Sequence, residues 1–158
     1  MNAAINIAIN KIIKNTSGAG EGCELTAYWD KDGKKWTVGR GCTGPDIKRG
    51  TTWTQSEADQ ALDDRLQGCF NLAIKSSPIL LKATANQCAA IIDFIYNAGY
   101  ENYINPERDG KISTLKKYID AGNFKKASEE ILKWNHSGGK VLSGLTKRCA
   151  IRSELLLS

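Results

Sequence analysis

The sequence predicts an α+β fold, mostly α, with a helical body and one small β-hairpin near the N-terminus. Three observations predict it. Apolar residues recur at helical spacing over long stretches, as in Ala58, Leu62, Leu66, Cys69 and Phe70. Two capping boxes, Thr54-Gln-Ser-Glu57 and Thr84-Ala-Asn-Gln87, announce helix starts, each with a hydroxyl for a free N–H and a long acceptor reaching back. Short extended pieces flank Asp30-Lys-Asp-Gly33-Lys-Lys, a turn composition.

Taken in order, residues 3–14 carry Ala4, Ile5, Ala8, Ile12 and Ile13 at helical spacing, and Asn15-Thr-Ser-Gly-Ala-Gly20 breaks the pattern. Leu25-Thr-Ala-Tyr28-Trp29 and Trp36-Thr37-Val38 form the hairpin. Gly39-Arg-Gly41-Cys-Thr-Gly44-Pro45 is glycine-rich loop. It is not a phosphate loop, because no Gly-Lys-Ser/Thr follows. The helix opened by Thr84 carries Cys88, Ile91, Ile92 and Ile95 and is expected at the centre of the core. Gly99 to Gly110 is expected to be a polar loop. Residues 112–121 and 123–134 read as two helices separated by Gly122, and His136 is placed at the end of the second. Ser137-Gly-Gly139 is a turn, and Leu145, Cys149, Arg152 and Leu156 mark a final helix.

A chain of 158 residues with 41% hydrophobic residues suits one domain with a true core. The expected organisation is a single domain, 1–158, with a hairpin-containing segment at about 21–45 and a helical body at about 54–158. A hairpin beside a helical body forms a cleft, and the polar, glycine-rich hairpin segment is expected to line one wall.

The net charge of +5 implies attraction to a polyanion without choosing among nucleic acid, anionic lipid and bacterial wall polymers. No helix carries a dense basic face with interleaved aromatics, so nucleic acid is not expected as a partner. The five cysteines cannot all pair internally and fit no zinc ribbon. Mostly free thiols and a reducing compartment are expected, with Cys69, Cys88 and Cys149 buried. The single histidine, His136, argues against a zinc amidase, so no metal or cofactor is expected. No stretch is long enough to span a bilayer, and no export signal is evident at the N-terminus.

Glycosidic hydrolysis needs a proton for the leaving oxygen and a negative group near the developing oxocarbenium ion. Glu21 and Asp30 bracket the first hairpin strand, and Thr37 lies on the returning strand, where its hydroxyl can orient a water. Spacing alone leaves many such pairs among the 17 acidic residues.

The segment Glu21-Gly-Cys-Glu-Leu-Thr-Ala-Tyr28-Trp-Asp30, with Gly33 and Trp36-Thr37-Val38-Gly39-Arg-Gly41, resembles the active-site segment of phage-type lysozymes, glycoside hydrolase family 24. Further blocks are similar in the same order: Thr43-Gly-Pro-Asp46, Gly50-Thr-Thr-Trp-Thr-Gln55, Gln87 to Phe94 with Tyr96-Asn97-Ala-Gly99, and Trp134 through Arg148. The interval from Asp30 to Thr37 is one residue longer than the family's usual pattern, and Cys42 stands where many relatives have His. The resemblance implies a lysozyme-like fold and an endolysin muramidase acting on bacterial peptidoglycan, without a cofactor. Glu21 would be the general acid, Asp30 the charged partner and Thr37 its helper in placing water. Tyr96 and Asn97 match positions that face the substrate in relatives. It further implies a monomer without stable membrane insertion, held in the host cytoplasm until a holin-type lesion releases it to the wall. A lytic transglycosylase on the same bond and a non-catalytic basic wall-binding domain stay open as alternatives.

Overall fold

The computed structural model describes residues 1–16, 23–31, 33–107 and 110–158. The chain forms two compact units. One comprises Met1–Thr16 with Leu66–Ser158, and the other spans Ser17–Arg65.

The smaller unit is built on the hairpin. Strand β1, Glu24–Asp30, pairs antiparallel with β2, Lys35–Gly39. Asp30 faces Lys35, Trp29 faces Trp36 and Tyr28 faces Thr37, so four residues close the turn. The register shifts between Glu24 and Tyr28, a bulge that sharpens the local twist. The far edge of β1 is also occupied: Ala27 N–H donates to Thr51 and Trp53 N–H donates to Leu25, both at 2.8 Å. Side chains alternate across the ribbon. Ala27 and Val38 point into a small core with Cys42, flanked by Trp36, Ile47, Trp53 and Ala61. Arg65 clamps the loop beyond β2 by donating to the Gly41 carbonyl at 2.9 Å.

Helix α2, Gln55–Ser76, begins at the predicted capping box, with Thr54 N–H on the Glu57 carboxylate at 2.6 Å and Glu57 N–H on the Thr54 hydroxyl at 3.2 Å. Its residues are divided between the two units.

The larger unit assembles around α3, Ala85–Ala98, which packs against α1, Ala3–Thr16, and α7, Ser143–Leu156. Every residue of α3 from Cys88 to Ile95 is buried, so this stretch of the helix is enclosed on all sides, as its apolar run predicts. Each fully buried Ile on it contributes about 1.5–3 kcal/mol. Its start is the second capping box, with Gln87 N–H on Thr84 Oγ1 and Thr84 N–H on Gln87 Oε1.

The expected loop from Gly99 contains a short helix, α4, Tyr100–Ile104. The buried Tyr103 anchors it, bonding Ser77 Oγ at 2.8 Å and meeting Phe94 edge-on. Helices α5, Thr114–Asp120, and α6, Phe124–Ile131, are shorter than predicted. Their starts are fixed by Ser113 and Asn123, whose side chains accept from Lys116 and Lys126 N–H. His136 is therefore not at a helix end. It lies in β3, His136–Ser137, paired with β4, Lys140–Val141. Gly138 and Gly139 join these strands with φ of 55° and 75°. Two successive left-handed residues make the tight turn that matches strand twist, and glycine adopts it without a Cβ penalty. Cys69, expected to be buried, is half-buried. No helix among the described residues is long and apolar enough to cross a membrane.

Candidate active site

Among the residues singled out in the sequence, Glu21 lies outside the described residues. Asp30 ends β1 and Thr37 sits in the middle of β2. Because Asp30 pairs with Lys35, two positions from Thr37, both side chains leave the same face of the ribbon, opposite the Ala27–Val38 core. Their positions are diagonal neighbours across the two strands.

Two local features shape this face. The Asp30 carboxylate folds over Gly33: a Cβ on Gly33 would lie 2.5 Å from Asp30 Oδ2 and 3.2 Å from its carboxyl carbon. Glycine is therefore what lets the carboxylate take this place beside the turn. Thr37 is 3% exposed, and its Oγ1 has no hydrogen-bond partner among the described residues. A buried hydroxyl left so costs about 1–3 kcal/mol, which a fold retains where a ligand or water completes the bond.

Tyr96 and Asn97 lie in the last turn of α3, in the larger unit. Tyr96 is half-buried and Asn97 is exposed. Asn97 lines a cavity of about 370 Å³ with Asn102, Trp134, His136 and Leu145. Trp134 is half-buried and packs edge-on to Phe94 at 4.9 Å, so it serves both the core and the cavity wall. It also lines a second cavity, of about 510 Å³, beside Lys117 and Lys133.

Behind Asn97 is a group that the sequence did not single out. Asp93 is fully buried on α3, and its carboxylate takes Arg148 at 2.6 and 3.0 Å and Arg152 at 2.7 Å. Burial alone would raise its pKa, but the two guanidiniums override this and hold it below the ordinary carboxylate value. The available signal was one acid inside Ile91-Ile-Asp-Phe94, together with Arg152 on the apolar stripe of α7.

The phage lysozyme family model matches residues 18–152. The chain belongs to the phage lysozyme family. It is 38% identical over 141 residues to the endolysin of Bacillus phage B103, covering 87% of this chain and 49% of that protein. It thus spans about half the length of the Bacillus phage endolysins it matches. It is 32% identical over 138 residues to the SAR-endolysin of Enterobacteria phage PA-2, covering 87% of this chain and 77% of that protein. The fold is similar to the active form of the P1 phage endolysin Lyz, with a TM-score of 0.76 at 18% identity, covering 97% of this chain and 93% of that one. The lysozyme-like α+β architecture expected from the sequence is thereby established.

Proposed function

We propose that this phage lysozyme is a muramidase, hydrolysing the β-1,4 bond between N-acetylmuramic acid and N-acetylglucosamine in bacterial peptidoglycan. The observation that carries this reading is the buried Thr37 hydroxyl, which has no hydrogen-bond partner among the described residues, on the ribbon face that carries Asp30. That pairing suits a water held beside a carboxylate. In the proposed step, Glu21 gives its proton to the glycosidic oxygen as the bond to the anomeric carbon breaks. Water forms the new bond to that carbon. Asp30 opposes the positive charge that develops and takes the proton that the water loses, while Thr37 orients the water. Tyr96 and Asn97 bind the sugar, one by its aromatic face and the other through its amide. Phage endolysin relatives support the same substrate class.

The test is a reducing-end assay on purified peptidoglycan with the wild type and Glu21→Gln. New reducing ends with the wild type, lost in the mutant, are expected; equal release by both overturns the assignment of Glu21.

We further propose that the protein acts as a monomer on the host wall after release through a holin-type membrane lesion. Expression in a bacterial host is expected to lyse cells only when a holin is present, and lysis without one overturns this route.

A further inference from the structure

We infer that the buried Asp93–Arg152 pair is a positioning device for Asn97, turning its carboxamide so that the amide N–H groups face the cavity and read an acceptor oxygen on the ligand. The inference rests on the muramidase reading for its ligand, the acetamido carbonyl of an N-acetyl sugar. Its geometry stands within the larger unit.

Arg152 is 1% exposed. Its Nε donates to Asp93 Oδ2 at 2.7 Å, and one terminal nitrogen donates to the Asp93 main-chain carbonyl at 3.0 Å and to Asn97 Oδ1 at 3.2 Å. A guanidinium has donors and no acceptor. The carboxamide atom facing it must therefore be the oxygen, which directs the Asn97 nitrogen the other way. Arg148 holds the far side of the same carboxylate, so Arg152 cannot swing without breaking a buried ion pair. The guanidinium also lies 5.6 Å from the centre of the Phe94 ring, against which Trp134 packs edge-on. One buried cation thus supports two walls of the cavity.

The cavity chemistry agrees with an acetamido ligand. Trp134, Leu142 and Leu145 offer apolar surface to a methyl group, and Asn97 offers N–H to a carbonyl. The nearby Asn102 has its amide nitrogen engaged on the Ala98 carbonyl at 2.6 Å, which leaves Asn97 as the better-placed donor.

The experiment compares kcat and KM on purified peptidoglycan for the wild type, Asn97→Asp and Arg152→Lys, with thermal unfolding of each. Asn97→Asp keeps an oxygen for Arg152 and removes both donors. The expected result is unfolding at or above the wild-type temperature, KM raised about tenfold and kcat changed much less. Arg152→Lys keeps the charge and loses the fork that reaches Asn97, and is expected to raise KM similarly in its folded fraction. Where Arg152→Lys does not fold, Asn97→Asp decides. A wild-type KM in either folded variant, with an active wild type, overturns the inference and leaves the muramidase reading intact. A folded wild type that releases no reducing ends overturns both.

Discussion

The Arg152 guanidinium lies 2.6 Å from the Asp93 carboxylate, and neither side chain reaches solvent. The two residues are 59 positions apart, and their pairing ties α7 to the centre of α3. Removing one partner of such a pair leaves a buried charge uncompensated. Asp93→Asn is expected to lower the unfolding free energy by about 3–5 kcal/mol. Urea unfolding followed by circular dichroism checks it, and a loss below about 1 kcal/mol contradicts a fully desolvated pair.

The same carboxylate sets an acid limit on stability. Its folded-state pKa is depressed below 3.8, the ordinary value of an aspartate carboxyl, because the two guanidiniums outweigh the rise that burial alone would give. A depressed value contributes stability that is fully present above the unfolded pKa and is lost as pH falls through the folded one. Thermal unfolding at a series of pH values should show this contribution constant from neutrality to about pH 4 and falling below it. In Asp93→Asn the difference from wild type should shrink over that acid range. A difference that grows instead contradicts the sign.

Thr37→Val separates stability from function. Valine fills the same volume without a hydroxyl that has no partner among the described residues, so unfolding free energy should hold or rise by about 1 kcal/mol. Peptidoglycan turnover should fall about 10- to 100-fold, and Thr37→Ser should restore most of it. Equal activity in the valine variant removes the hydroxyl from the mechanism.

Gly33→Ala tests the placement of Asp30. The new Cβ would sit 2.5 Å from Asp30 Oδ2 and 2.9 Å from Lys35 Cε, so the carboxylate must move. Turnover is expected to drop about tenfold or more while thermal unfolding stays within a few degrees of wild type. An alanine variant with full activity shows that Asp30 tolerates displacement.

Thiol chemistry reads the core directly. Burial pushes the Cys88 and Cys149 thiols up, disfavouring the reactive thiolate. Alkylation mapped by mass spectrometry should leave both unmodified in the native protein at pH 8 and modify both in denaturant. Native labelling at either contradicts their burial.

Much of the helical body was legible because its signals are local. Thr84 and Gln87 stand three positions apart and cap the helix they announce, and the apolar run behind them could only be enclosed. The hairpin strands were legible from turn residues between extended pieces. What was not legible depends on contacts far along the chain. The bridge between Thr26 and Thr52 needs the loop beyond β2 to return to β1. Helix α4 has only one turn and is held by Tyr103 against Phe94 and Ser77, not by its own propensity. The role of Asp93 was not legible because its partners come 55 and 59 residues later. Of the candidate site, Asp30 and Thr37 came from a short motif whose strands pair regularly from Tyr28–Thr37 to Asp30–Lys35. Their shared face follows from the pairing, and the burial of the Thr37 hydroxyl without a partner among the described residues does not follow from any pattern.

The most direct test of the central claim is mass spectrometry of peptidoglycan fragments released by the wild type and by Glu21→Gln. Fragments ending in reducing N-acetylmuramic acid, absent with the mutant, are the predicted result. Anhydro-muramyl ends would contradict hydrolysis and show ring closure without water, and uncut glycan from folded wild type would contradict catalysis altogether.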